Sequence, residues 1–194
     1  LDAKKLQKAY VSMLYSDNYR ITDAETEYQY LARTMDSERL IVERAARQRN
    51  LRTVLYSDMH FSPRFFSKEQ FLALVIAYCE SDSFWNWSSR TLIESFCSFV
   101  VEQSNLTEEE KTIFLIDGIY SGISTSSENS PWKSNISHVH ENSITEEIIL
   151  DRYFSLSLLN KADHLSAIAF ENKTACLRLH NENGKVAISL KETA

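Results

Sequence analysis

The sequence predicts a mainly α-helical protein with a small antiparallel β-meander at its C-terminus, an α+β arrangement of an antiparallel helical bundle and about three strands. Three observations predict it. Apolar residues recur at three- and four-residue spacing through most of the first 160 residues. Ser/Thr-x-x-Glu/Gln pairs stand at the start of several of those stretches, where a hydroxyl and a carboxylate or amide satisfy free helix N–H groups. From Leu165 the period falls to two, and Asn183-Gly184 supplies the residues a type I′ hairpin needs at positive φ. Three Gly and two Pro in 194 residues suit long helices with short connections. They disfavour a many-turned all-β fold and Gly-rich phosphate loops.

Taken in order, residues 3–16 place Leu6, Tyr10, Met13 and Leu14 on one helical stripe, ended by Asp17-Asn18. Thr22 and Glu25 form a capping box for a helix carrying Tyr28, Leu31 and Met35. Asp36 or Ser37 restarts a helix to about Asn50 with Leu40, Ile41 and Ala45 inward, although 22–50 also reads as one bent helix. Residues 57–66 form a loop with Pro63 and three phenylalanines. Ser67 and Gln70 cap a strongly apolar helix through Cys79. A helix over about 88–103 and a third, capped by Thr107 and Glu110 and reaching about Tyr120, complete a bundle over 1–120. These last three helices pack as antiparallel neighbours.

Residues 121–142 are rich in Ser and Thr with little apolar periodicity, which predicts a surface loop. Ser143 and Glu146 cap a further helix to about Asn160. Strands then follow over Leu165–Phe170, Thr174–His180 and Val186–Leu190, so residues 143–194 form a helix plus a meander packed on the same domain. The expected core comprises Phe71, Leu74, Val75, Leu92, Phe96, Val100, Phe114, Ile148 and Phe154.

Net charge is −6 and unevenly spread. Residues 1–64 hold eleven Lys/Arg against nine Asp/Glu, and residues 65–194 hold ten against eighteen. An acidic body disfavours broad nucleic-acid binding, which needs concentrated positive charge. It favours solubility, or a basic partner surface. Cys79, Cys97 and Cys176 are isolated and odd in number, so neither a disulfide framework nor a zinc site is expected. Free thiols place the chain in a reducing, cytoplasmic setting. The sequence has no signal peptide and no apolar run of membrane-spanning length; a chain beginning at Leu1 is compatible with removal of a leader.

Candidate chemistry is sparse. His138-Val139-His140-Glu141 offers a chelating His-x-His pair, with Glu141, Glu146 or Glu147 as oxygen donors, but no second ligand cluster is visible and no metal or cofactor is expected. No Ser sits in a nucleophile elbow. Asp58 with His60, and Asp163 with His164, read as ordinary loop polar residues. Arg39, Arg44, Arg47, Arg49 and Arg52 are the one basic cluster. Glu38 and Glu43 interleave with them, and Arg47 follows Glu43 by four residues, which reads as a solvated helix face with ion pairing. Trp85, Trp87 and Trp132 stand in polar surroundings, as interface anchors do. Glu128 and Glu141 flank Trp132 in the Ser-rich segment. The expectation is a non-enzymatic protein-interaction module: an adaptor or chaperone-like subunit of a larger complex, with protein partners and no nucleic acid. A toxin-immunity or inhibitor protein is one alternative. The other is a metal-dependent or hydrolytic enzyme using the His138/His140 region.

Overall fold

A computed structural model describes residues 1–17, 24–85, 91–124, 136–140, 143–182 and 185–193, with residues 136–140, 143, 144 and 182 described by their backbone. The protein is mainly helical with a small C-terminal antiparallel sheet. The chain divides into two compact units, residues Leu1–Tyr56 with Lys68–Asn86, and residues Ser57–Ser67 with Trp87–Ala194.

The first unit holds α1 (Ala3–Tyr15), α2 (Glu25–Thr34), most of α3 (Ser37–Asp58), α4 (Lys68–Cys79) and α5 (Asp82–Trp85). Asp2 caps α1 by accepting from the Lys5 N–H at 2.9 Å. The chain is extended at Met35 (φ −88°, ψ 149°), so α2 and α3 are separate helices rather than one bent one. The Asp36 carboxylate then accepts from the Glu38 and Arg39 N–H groups and starts α3. Met13, Leu14 and Leu40 are buried together, with Tyr28, Leu31 and Met35 packed against them. In α4, Phe71, Val75 and Tyr78 are fully buried. The Phe84 ring meets Tyr15 at 5.2 Å and Tyr78 at 5.3 Å between centroids.

The second unit is built on α6 (Leu92–Val101), α7 (Glu108–Ser124) and the sheet. Its strands are β1 (Ile136–His140), β2 (Ser143–Leu150), β3 (Ala175–Glu182) and β4 (Lys185–Glu192), all antiparallel in the order β1-β2-β3-β4. Ile113, Ile116, Ile119 and Ile123 form a three- and four-residue stripe on α7. That stripe packs on Ile148, Leu150, Leu177 and Leu179, which alternate along β2 and β3. Phe96 of α6 meets Phe114 edge-on at 6.0 Å. A single turn, α8 (Leu156–Leu159), and a 310 turn at Leu165–Ala167 add Leu156, Leu159 and Leu165 to this core.

Of the expected core, Phe71, Leu74, Val75, Phe96, Val100, Phe114, Ile148 and Phe154 are buried, while Leu92 is half-buried. The Thr107–Glu110 box forms as expected, with Thr107 N–H donating to Glu110 at 2.8 Å and Glu110 N–H to Thr107 at 3.2 Å. A second box, Thr91 with Glu94, sets the start of α6 at Leu92. Thr22 lies outside the described residues, and α2 begins at Glu25 behind Ala24 without a side-chain cap. Helix α3 continues to Asp58, well past Asn50.

Three expectations for the C-terminal part are corrected. Residues 143–150 are strand β2 rather than the start of a helix to Asn160; the helical part is the single turn Leu156–Leu159. The Ser143-x-x-Glu146 spacing resembles a cap, but Ile144, Thr145, Ile148 and Ile149 are β-branched, a composition that favours a pleated strand. Pairing along all of β3, from Ser143↔Glu182 to Leu150↔Ala175, decides it. Leu165–Phe170 is not a strand: Leu165–Ala167 turns as a 310 segment, because β2 already occupies the place beside β3. The segment 121–142 is not one long loop, since α7 runs through Ser124 and residues 136–140 form β1. The Asn183-Gly184 hairpin lies outside the described residues; β3 and β4 pair up to Glu182↔Lys185 on either side of it.

Candidate functional site

Helix α3 is mixed on both sides: it buries Leu40 and Leu55 together with two polar residues and exposes aliphatic ones among its charges. Its buried positions include Arg44 and Gln48, and its exposed ones include Ile41, Val42 and Val54 at 60, 70 and 47% of full exposure. The inward polar residues have a definite task. The last carbonyls of α1 lack partners within their own helix. Arg44 Nε donates to Met13 O at 2.9 Å and Gln48 Nε2 to Tyr15 O at 2.8 Å, while the Arg44 guanidinium also pairs with Asp17. A cation at this end also complements the helix dipole. Burial pulls the Arg44 pKa down and the nearby Glu80 carboxylate opposes that.

The expected arginine cluster is therefore divided. Arg44 is buried; Arg47 pairs with Glu43 at 3.2 Å one turn earlier; Arg39 and Arg49 are exposed and Arg52 is half-buried. At 3.6 residues per turn Val42 lies on the side of α3 opposite Leu40 and Arg44, the side that also carries Arg39 and Arg49. This surface sets Val42 among exposed residues of both charges, Arg39, Arg49 and Glu38, with exposed Ile41 a quarter-turn away. Beside it, Tyr10 and Leu14 of α1 and Met35, Arg39, Leu40 and Glu43 line a groove of about 290 Å³.

Of the three tryptophans, Trp85 is described. It is half-buried at the end of α5, edge-on to Phe84 at 4.8 Å, and its buried indole N–H has no hydrogen-bond partner among the described residues. Trp87, Trp132, Glu128 and Glu141 lie outside the described residues.

The second unit contains a polar site that the sequence did not announce. Asp117 of α7 is 2% exposed. One of its oxygens accepts from the backbone N–H groups of His60 and Phe61 at 2.8 and 2.9 Å; the other accepts from Ser62 N–H at 2.7 Å and Ser62 Oγ at 2.5 Å. Burial pushes its pKa up and the four hydrogen bonds hold it down, burial being the larger effect. The carboxylate holds the 310 turn Ser62–Arg64 against α7. The His60 ring stacks on Tyr120 at 4.8 Å. The Asp58 carboxylate accepts from Ser57 Oγ at 3.2 Å, and the Asp117 carboxylate takes the backbone of His60, not its imidazole. Asp163 and His164 are both exposed.

On the outer face of the sheet, Thr145 Oγ1 and His180 Nδ1 share a hydrogen bond at 2.7 Å, and Glu147 pairs with Arg178. His138 and His140 of β1 hold register opposite Thr145 and Ser143. Among the described side chains no three His, Cys, Asp or Glu residues gather at one point. An open cleft of about 560 Å³ lies between α7 and the end of β2. At its wall Lys111 pairs with Glu108 at 2.9 Å and Arg152 with Glu109 at 2.8 Å, and Asp151 is exposed. Cys79 and Cys97 are buried free thiols and Cys176 is a half-buried one. No helix among the described residues is long and apolar enough to cross a membrane.

Comparison with family models, with curated proteins and with solved structures finds no match to this chain.

Proposed function

We propose that this protein is a non-enzymatic interaction module, an adaptor or chaperone-like subunit that binds another protein through the outward face of α3. The observation that carries this reading is the exposure of Ile41 and Val42 on that helix. Leaving Ile41 and Val42 exposed forgoes the ~1.5–3 kcal/mol that burying each aliphatic side chain contributes. A partner that covers them recovers that contribution, and Arg39 and Arg49 beside them favour one with acidic residues around its contact patch. An inhibitor or immunity protein would use such a surface in the same way. Three unbridged cysteines support a reducing compartment such as the cytoplasm.

The test compares wild type with Ile41→Asp and Val42→Asp in affinity capture from native extract, identified by mass spectrometry and followed by titration. Both variants should melt at the wild-type temperature, since both sites are exposed, and should lose the captured protein. A partner retained at wild-type affinity by both variants removes α3 from the interface.

A further inference from the structure

The outward stripe of α3 is complementary to itself. Glu38, Val42, Ala45 and Arg49 follow one another at intervals of four, three and four residues, the spacing that keeps side chains on one seam of a helix. Ile41 and Ala46 flank that seam. Val42 and Ile41 are 70 and 60% exposed; Glu38, Ala46 and Arg49 are exposed and Ala45 is half-buried. The seam is therefore acidic at its N-terminal end, apolar with a small residue in its middle, and basic at its C-terminal end. The polar residues of the inner side have other work. Arg44 and Gln48 bond to the end of α1, and Arg47 pairs with Glu43 off the seam.

We propose that a second copy of the chain covers this face, its α3 lying antiparallel on the first about a two-fold axis. The proposal rests on the reading of the α3 face as an interface and names what occupies it. A two-fold contact sets residue i on j and j on i. With Val42 on Ala45 of the second copy and Ile41 on its Ala46, Glu38 falls on Arg49 at one end and Arg49 on Glu38 at the other. One register thus matches both charges and the apolar middle. A parallel arrangement sets Glu38 on Glu38 and Arg49 on Arg49, and like charges on neighbouring turns repel, so the order of charges selects the antiparallel one. Ala45 lets the helix axes approach to about 8 Å, where Val42 and Ile41 of both copies leave water. An unlike partner needs a base opposite Glu38, an acid opposite Arg49 and apolar residues between, which is the pattern α3 itself carries. From Glu38 to Arg49 the seam spans only about 17 Å of helix, a contact of the size that gives a weak, concentration-dependent dimer.

Sedimentation equilibrium of the full chain at increasing concentration should show the mass rising from 22.5 kDa toward twice that value. Val42→Asp, which puts an unpaired charge in the middle of the seam, should weaken self-association by at least ~10-fold. Glu38→Arg and Arg49→Glu should each weaken it by roughly 10-fold, since each sets like charges together at both ends. Mixed in equal amounts, these two charge variants should recover association close to the wild-type level, because opposite charges then meet at both ends again. Glu38, Val42 and Arg49 are exposed, so all variants should melt as wild type does; Val42→Glu replaces Val42→Asp if the latter melts lower. A chain that stays monomeric at millimolar concentration overturns the proposal. So does a mixture of the charge variants that associates no better than either alone, and so does self-association that Val42→Asp leaves intact. Capture of an unlike protein through Ile41 and Val42, by a chain that stays monomeric, keeps α3 as an interface and assigns it to that protein instead of a second copy.

Discussion

Replacing Asp117 with alanine tests the buried carboxylate that holds the 310 turn Ser62–Arg64 against α7. The carboxylate accepts four hydrogen bonds at 2.5–2.9 Å from His60, Phe61 and Ser62. The Phe61 and Ser62 donors are buried, and alanine leaves both without an acceptor. An unsatisfied buried donor costs ~1–3 kcal/mol, so Asp117→Ala should destabilise the protein by ~3–5 kcal/mol in urea unfolding. Asp117→Asn keeps one oxygen but turns an NH2 toward two donors, and should cost about half as much. The pH dependence has a definite sign. Burial raises the folded-state pKa above the ordinary value of 3.8, so the folded state binds a proton more tightly than the unfolded one. Between the unfolded and folded pKa values the folded state carries the extra proton, and this group's contribution to stability falls as pH rises through that window. Asp117→Asn lacks this slope. The stability difference between wild type and Asp117→Asn should therefore shrink as pH is raised upward from about 4. A loss under ~1 kcal/mol for Asp117→Ala, or a difference that grows with pH, would refute the assignment of Asp117 as a buried acceptor held at a desolvation cost.

Phe96, fully buried against Phe114, should cost ~3–5 kcal/mol on truncation to alanine, through lost transfer energy and an unfilled cavity; chemical denaturation checks it. Arg44→Ala should destabilise by ~2–4 kcal/mol by freeing the Met13 carbonyl and the Asp17 carboxylate, whereas Arg49→Ala, exposed on the same helix, should stay within ~0.5 kcal/mol. Burial pushes the Cys79 thiol up to about 12 and the Cys97 thiol well above its usual value, with Asp117 and Glu94 adding to the effect at Cys97. A thiol reagent at pH 8 should therefore label close to one cysteine per native chain, Cys176, and all three after unfolding; rapid labelling of two or more native thiols contradicts the burial.

The helices of the first 120 residues were legible as elements, though not residue by residue: Tyr10 and Ile41, read as inward, are exposed. The apolar stripes of α1, α4, α6 and α7 and the Thr107 box are local: each involves residues within one or two turns, and nothing distant competes. Strands β3 and β4 were legible for the same reason, their alternation lying within one hairpin. What the sequence left open is everything that depends on a partner far along the chain. Ser143 to Leu150 suits a cap and helix as well as a strand, and its pairing with β3, some thirty residues later, selects the strand. The expected strand at Leu165 disappears because that place in the sheet is taken. Arg44, read as one of five surface arginines, turns inward because the carbonyls at the end of α1 need donors, and Asp117 turns inward because the 310 turn at Ser62 does. The line of His138, Thr145 and His180 exists only through strand register. Local propensity acts over a few residues and is written in the chain; the choice between two acceptable local states is made by long-range hydrogen bonds and packing, which only the tertiary structure supplies.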